Sequence, residues 1–122
     1  MATISIGEWA KKSRLSLDEA ARGIKISLFS GVIRDTRVDT GRLRGNWQTT
    51  TGSGATGIID RMDTSGSAAT TEVQATVGAD TVDYITNNLP YARIWNERDA
   101  IIDKNLARLQ QNVRTEVAKA KK

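Results

Sequence analysis

The sequence contains no cysteine and no histidine among its 122 residues. It can therefore form no disulfide or thiolate, and it lacks the commonest general base and metal ligand. We expect a protein that is not an enzyme, with no catalytic residues, cofactor or metal site. No stretch reaches the roughly 18 consecutive apolar residues that cross a bilayer, and the N-terminus lacks a signal peptide's apolar core. These absences predict a soluble protein made in the cytoplasm, without membrane contact.

Aromatic residues are scarce at 5%, so the 39% of hydrophobic residues must form a largely aliphatic core. A chain of this length forms one domain and buries about two thirds of its unfolded surface. The net charge of +4 permits contact with DNA or an acidic protein surface. Part of the positive excess lies in the tail residues Lys119, Lys121 and Lys122.

Two amphipathic helices are predicted near the ends of the chain. Ser16-Leu17-Asp18-Glu19 has capping-box spacing, which predicts a helix start at Ser16 and a helix to about Asp35. A second helix is predicted from about Ala100 to Lys119, with Asp99 as its cap. Residues 1–15 form an N-terminal arm, helical around Glu8–Arg14, that lies on the domain or on a neighbouring subunit. The apolar stripes are Leu17, Ala21, Ile24, Leu28 and Val32, then Ile102, Leu106, Leu109, Val113 and Val117.

Between the helices the pattern is that of a small sheet. Strands are predicted over Gly45–Thr51, over the alternating segment Thr71–Val77 and over Val82–Thr86, with a short helix over Pro90–Glu97. Residues 52–70 form a long, hairpin-like flexible loop whose apolar residues Ile58, Ile59 and Met62 are expected to dock. The prediction is an α+β domain over residues 16–122, a small antiparallel sheet with the long helices on one face.

Two short segments are dense in residues with special conformations. Val38–Trp47, named here the corner, contains Asp39-Thr40-Gly41. Asp39 can accept hydrogen bonds from amides two or three residues on, Gly41 can take a positive φ, and Leu43 then re-enters the core. Asn87-Asn88-Leu89-Pro90-Tyr91-Ala92 combines an asparagine pair with the only proline, at a helix start.

This pair of motifs, in this order, resembles the neck and tail-completion proteins of long-tailed bacteriophages. The resemblance covers residues 16 to 120 as an order of elements. In one respect the chain departs from that family: Ile94–Asp99 leads almost directly into the last helix, without the Gly/Ser/Pro-rich loop usual there.

The resemblance implies a structural virion protein of the neck or upper tail end, which completes the tail and joins it to the head. It implies a ring homo-oligomer, expected to be a hexamer, whose partners are tail-tube and head-connector proteins and whose lumen passes DNA. The interface candidates, taken from the two motifs and the tryptophans near them, are Asp39, Thr40, Gly41, Arg42, Arg44, Trp47, Asn88, Pro90, Tyr91 and Trp95.

Two motifs also match enzyme signatures. Asp39-Thr40-Gly41 is the triplet of aspartic proteases, but Arg42 follows where that family favours a small residue, and an adjacent arginine keeps a carboxylate ionised. Gly52-Ser53-Gly54-Ala55-Thr56-Gly57 has G-x-G-x-x-G spacing with Glu72 about 20 residues on. The following residues do not have a helical pattern, so a hairpin tip is favoured over a nucleotide site.

The arginines around the corner have two interpretations. Arg34, Arg37, Arg42 and Arg44 can pair locally at the surface, or they can bridge subunits or face DNA. Trp47 and Trp95 are interpreted as core or interface anchors. A small DNA-binding module using the arginine cluster and the lysine tail is therefore the alternative function.

Overall fold

The computed structural model describes residues 6–120, and the side chains of residues 18–120 except 112, 116, 117, 119 and 120. It confirms an α+β fold. Its one sheet among the described residues has two antiparallel strands, β1 and β2. The elements in chain order are α1 Ile6–Arg34, α2 Arg42–Gly45, β1 Gln48–Thr51, α3 Ser67–Thr76, β2 Asp83–Thr86, α4 Ala92–Asp99 and α5 Ile101–Ala120.

The core lies between the C-terminal half of α1, α3, the start of α5 and the inner face of the sheet. Thr49 is paired with Ile85 and both face this core, whereas Tyr84 on the outer face is 39% exposed. The buried members of the core, mostly aliphatic as the composition predicts, are Phe29, Val32, Ile33, Trp47, Ala69, Val73, Val77 and Ile101.

The helices α1 and α5 form an antiparallel pair. Asn105 lies against Gly31, and further along α5, Gln111 lines the same cleft as Ser27. Close helix packing is a reason expected for both glycines inside α1; a Cβ on Gly31 would collide with the Asn105 side chain, as expected, whereas a Cβ on Gly23 would meet nothing within 4 Å. Asn105 is 2% exposed and donates to the Ile101 carbonyl at 2.8 Å and to Asp35 at 3.1 Å.

The predicted helix start at Ser16 is wrong, because α1 begins at Ile6 and continues through Ser16–Glu19. Residues 6–15 are mostly good helix formers, so the capping-box spacing falls inside a helix and does not begin one. The side chains of Trp9, Ser16 and Leu17 lie outside the described residues, as does the predicted capping contact.

The strand predicted over Thr71–Val77 is also wrong, since Ser67–Thr76 is the helix α3. Ala69, Val73 and Val77 are buried at intervals of four, while Ala75, which alternation places with them, is exposed. The buried Asp63 sets the helix start: its two carboxylate oxygens accept the Gly66 and Ala69 N–H groups at 3.1 and 2.9 Å.

The loop before α3 spans residues 52–66, shorter than the predicted 52–70, and it does dock. Of its apolar residues only Ile59 is half-buried, whereas Ile58 and Met62 are 47% and 60% exposed, and the other docking contacts are polar. The Asp63 N–H donates to the Gly41 carbonyl at 3.0 Å. The Arg61 guanidinium donates to the carbonyls of Gly45 and Trp47 at 2.7 and 2.8 Å.

Strand β2 confirms the prediction for Val82–Thr86. Strand β1 begins at Gln48 and not at Gly45, because Arg42–Gly45 forms the helical turn α2. Helix α4 confirms the predicted short helix, although it starts at Ala92 and leaves Pro90 in the preceding turn.

Asp99, predicted to cap the last helix, is instead the final residue of α4. The first turn of α5 is capped by Asn96, whose Oδ1 accepts the Ile102 N–H at 2.9 Å. Ala100 alone separates the two helices and has a left-handed conformation with φ 50°.

The apolar stripe predicted for the last helix is only partly covered. Ile102 and Leu109 are half-buried, whereas Leu106 and Val113 are 43% and 39% exposed. The Val117 side chain lies outside the described residues. None of the helices between residues 6 and 120 combines the length and apolar character needed to span a bilayer.

A partly buried ion pair joins α1 to the start of β2. Lys25 Nζ lies 3.1 Å from Asp83 Oδ2, and the Asp83 side chain is 1% exposed. Burial raises the pKa of Asp83, but hydrogen bonds from Thr51, Thr81, Lys25 and the Gly78 N–H outweigh it, so the pKa is lowered overall.

This lowered pKa predicts acid sensitivity. A carboxylate whose pKa is lower in the folded state stabilises the fold above its unfolded pKa, near 3.8, and this contribution is lost as pH falls through the folded pKa. Urea denaturation is expected to show a free energy of unfolding that declines below about pH 4. An Asp83→Asn variant is expected to be less stable at pH 7, and its free energy of unfolding should decline less steeply as the pH falls. Parallel profiles for the two proteins would contradict this assignment.

Candidate assembly surface

The structure brings the two sequence motifs into contact. Leu43 of the corner is buried with Leu89 and Ala92, and Tyr91 and Trp95 pack against them. The Asn87 side-chain amide donates to the Leu43 carbonyl at 2.8 Å across a sequence separation of 44 residues. The corner and the Asn87–Ala92 segment therefore form one packed unit.

Gly41 sets the path of the corner. Its φ is 87°, as predicted, and a Cβ there would lie 2.7 Å from the Thr64 nitrogen. Its carbonyl accepts the N–H groups of Gly45 at 2.8 Å and Asp63 at 3.0 Å. The prediction that Asp39 bonds the following amides is wrong: Thr40 Oγ1 accepts the Arg42 N–H at 3.3 Å, and Asp39 is exposed.

Arg44 joins three segments of backbone. Its guanidinium donates to the carbonyls of Thr64 at 2.6 Å and of Arg34 and Thr36, both at 2.9 Å. Arg34 and Thr36 lie at the C-terminal end of α1, where helical carbonyls lack intrahelical partners. Arg44 therefore caps α1 and holds the end of the 52–66 loop beside it.

Arg37 joins the segment after α1 to helix α4. Its guanidinium makes a two-bond pair with Asp99 at 2.6 and 3.0 Å and lies 4.5 Å from the Trp95 ring centroid. The hydrogen bond from Arg37 lowers the pKa of Asp99. Arg98 approaches the same ring at 5.2 Å. Trp95 is thus half-buried between two arginines.

Of the four arginines of the predicted cluster, Arg42 is exposed with no ion pair among the described residues, and Arg34 lies 3.6 Å from Asp35. The structure thus divides the cluster: Arg37 and Arg44 are engaged in intramolecular contacts, whereas Arg42 lies on the outside of the corner.

Trp47 is a core residue. It is 4% exposed, and its Nε1 donates to Thr36 Oγ1 at 2.7 Å, which in turn donates to the Val32 carbonyl at 2.7 Å. Its indole therefore links β1 to the last turn of α1 and is not available to a partner.

The Asn87–Ala92 segment also holds the glycine-rich loop. The Asn88 amide donates to the carbonyls of Ala55 at 2.8 Å and Gly57 at 3.1 Å. Neither a helix nor a strand follows Gly57 before Ser67, so the arrangement of a nucleotide-binding βαβ unit is absent from this segment and the hairpin-tip interpretation of Gly52–Gly57 is wrong. Glu72 accepts from the Thr49 N–H at 2.8 Å and from Arg61 at 3.1 Å, so it is part of the framework.

A set of exposed residues from the corner and from Pro90–Ile94 adjoins this packed unit in the sequence. It includes two large apolar side chains, Val38 at 41% and Ile94 at 59% exposure, beside charged and polar groups. Pro90 is exposed and Tyr91 is half-buried. We name this surface the rim, and its members are Val38, Asp39, Thr40, Arg42, Pro90, Arg93 and Ile94.

Sequence reasoning missed the framework residues Asn46, Arg61, Asp63 and Glu72. Asn46 is fully buried, and its Oδ1 accepts the Ile59 N–H at 3.0 Å. The one local signal was Asp63 three residues before Gly66, which is typical of an Asx-type helix start. The other contacts join distant segments and leave no local pattern. Within residues 18–120, the described side chains include no group of three acidic residues placed to hold a metal ion.

Comparison of the chain with models of known protein families, with curated proteins and with solved structures found no match.

Arg44 and Arg42 provide a matched test of the corner. Arg44→Met is expected to lower the free energy of unfolding by about 2–4 kcal/mol, because three carbonyls lose a charged donor. Arg42→Met, two residues away and exposed, is expected to change it by less than about 0.5 kcal/mol. Urea denaturation measures both, and equal effects would contradict the role assigned to Arg44.

Proposed function

We propose that this protein is a structural, non-enzymatic subunit of the bacteriophage virion, which completes the tail and joins it to the head as part of a ring. The proposal rests on the resemblance of the corner and of Asn87–Ala92 to the neck and tail-completion proteins. Tail-tube and head-connector proteins are the partners that this function requires, with DNA passing through the lumen.

The observation that carries the proposal is the contact between the two motifs. Two segments that were linked only by order in the sequence share one hydrophobic cluster around Leu43 and Leu89. Their polar residues are engaged in backbone contacts, as with Arg44 and Asn88. Both motifs therefore serve to fix a surface shape, which is what an assembly subunit needs.

The rim supplies the chemistry of association. Its exposed apolar side chains, Val38 and Ile94, lie among charged and polar groups, and each one that a neighbour buries would contribute about 1.5–3 kcal/mol. In a closed ring the contacts are heterologous, so the rim meets a different patch on the next copy. The ring would then dock on the tail tube through its combined surface.

Purified protein is expected to form a discrete ring in mass photometry and electron microscopy. Ile94→Asp places a charge on the rim and should shift the distribution to smaller species, since burying an unpaired charge is costly. Leu106→Asp, on the exposed stripe of α5, is the matched control and should retain the ring. Equal disruption by both variants would contradict the assignment to the rim.

The virion role has its own test. Deletion of the gene from its phage genome is expected to leave heads and tails unjoined in electron micrographs, with the wild-type gene restoring infectious particles. Normal particle yield without the gene would overturn the proposal, whatever the oligomeric state of the purified chain.

A second candidate, a DNA-binding role, is favoured by the distribution of charge. Residues 23–113 contain ten lysines and arginines and ten aspartates and glutamates, so the net +4 lies on residues 1–22 and 114–122. Because α1 and α5 are antiparallel, the first half of α1 and the last turns of α5 lie towards the same end of the molecule. A positive end of this kind suits a polyanion.

Affinity for duplex DNA that falls steeply with salt would support this candidate. Replacing Lys119, Lys121 and Lys122 by alanine should reduce both the affinity and the salt dependence. A control in which Arg42 and Arg93 become alanine, removing two exposed charges from the neutral part, should bind as the wild type does. Salt-independent binding, or none, would exclude the role.

A further inference from the structure

The two edges of the sheet differ in whether other parts of the chain cover them. In the antiparallel register, Gln48 pairs with Thr86, and the Gly52 N–H donates to the Val82 carbonyl at 2.9 Å. In an antiparallel pair, residues that bond each other alternate with residues whose N–H and C=O groups point away from the partner strand. Gly52 and Val82 bond each other, so the groups that point outward include those of Thr49 on β1 and of Asp83 and Ile85 on β2.

The outer edge of β1 is covered. Glu72 Oε1 accepts the Thr49 N–H at 2.8 Å, and Arg61 donates to the Trp47 carbonyl at 2.8 Å. Glu72 and Arg61 are themselves paired at 3.1 Å. An ion pair from α3 and the 52–66 loop thus occupies positions that a third strand would take beside β1.

The outer edge of β2 is open. Across the described residues, no donor or acceptor meets the outward N–H and C=O groups of Asp83 and Ile85, and β1 is the principal neighbour of this strand. The strand contains no lysine, proline or bulge, and of the devices that protect exposed edges it has only its short length and one inward-pointing charge, Asp83. Its outer face carries two exposed hydrophobic residues, Tyr84 at 39% and Val82, just before the strand, at 66% exposure.

The N-terminal residues have the composition of a strand that fits this edge. Ala2-Thr3-Ile4-Ser5 alternates, includes two β-branched residues and carries no charge. Its length equals that of β2, which has four residues. If this segment pairs with β2, Ile4 lies on the same face as Val82 and Tyr84.

These residues cannot reach the β2 edge of their own chain. Lys25 on α1 is level with the start of β2, since its Nζ bonds both Asp83 and the Gly78 carbonyl. From Lys25 the helix runs away from the sheet to Ile6, a rise of about 28 Å at 1.5 Å per residue. Five extended residues span at most about 17 Å, so only another copy's edge lies within reach.

We infer that residues 2–5 of one copy add as a strand to the free edge of β2 in a second copy. Main-chain hydrogen bonds to Asp83 and Ile85 supply affinity, and the alternating side chains supply register. Since arm and edge are different patches, the contact is heterologous and propagates from copy to copy. This inference deepens the self-association proposed above and rests on it, and it identifies the neighbour as the partner of this edge.

The absence of cysteine permits a direct test by engineered disulfides in the full chain. Successive side chains of a strand point to opposite faces, so position 4 shares a face with position 84. An Ile4→Cys protein mixed with a Tyr84→Cys protein is expected to form a mixed dimer under mild oxidation, and one chain with both changes should form a ladder of oligomers. As a matched control, Ile4→Cys mixed with Thr56→Cys, in the exposed 52–66 loop, should cross-link at least tenfold less. Cross-linking of the Tyr84→Cys protein only to itself would show edge-to-edge pairing of β2 and overturn the inference.

Deletion of residues 2–5 supplies the second measurement. Loss of several main-chain hydrogen bonds is expected to raise the dissociation constant for self-association about tenfold or more. Circular dichroism would verify that the shortened chain keeps its helices. Unchanged association would overturn the arm contact.

The outcomes separate this inference from the proposed function. A ring that forms without the cross-link and survives the deletion overturns the arm contact and leaves the ring proposal standing. An open filament with the disulfide between positions 4 and 84 of neighbouring copies supports the arm contact and contradicts the ring. A wild-type chain that stays monomeric at all concentrations overturns both.

Discussion

The fold depends on satisfying the backbone of a long segment with little regular structure. Between the end of α1 and the start of α3 lie 32 positions of which only α2 and β1 are regular. Buried N–H and C=O groups in such a segment need partners, and side chains supply them here. Arg44, Arg61 and Asn46 bond main-chain atoms of other segments, and Asp63 accepts N–H groups at the start of α3. The small aliphatic core is assembled around this polar framework.

This constraint explains which features could be predicted from the sequence. The C-terminal half of α1, helix α5, strand β2 and the positive φ of Gly41 depend on periodicity or on local turn chemistry, which one segment displays by itself. Ala69, Val73 and Val77 are spaced at intervals of four, which fits one face of a strand as well as one face of a helix. The carboxylate of Asp63 favours the helix, because it accepts an N–H group of its first turn. Arg61 and Asn46 act across distance, so no local pattern marks them.

The same logic separates framework from interface at the candidate site. Gly41, Arg44, Trp47 and Asn88 were interface candidates, yet the structure uses each of them inside the subunit. The residues free to meet a partner are less distinctive in sequence, such as Val38, Arg42 and Ile94. Motif residues thus define the shape of the surface, while its exposed neighbours define its chemistry.

Ala100, the single residue between α4 and α5, has a backbone conformation that is unusual for alanine. An alanine with φ 50° carries a local conformational cost of about 1–2 kcal/mol, because its Cβ crowds the adjoining carbonyl. The Asn96 cap on one side and the Arg37–Asp99 pair on the other hold the residue in this state. Because Ile101 and Asn105 at the start of α5 are buried, the bend sets the direction in which α5 leaves α4, and the exposed side chains of the two helices are held in one fixed relation.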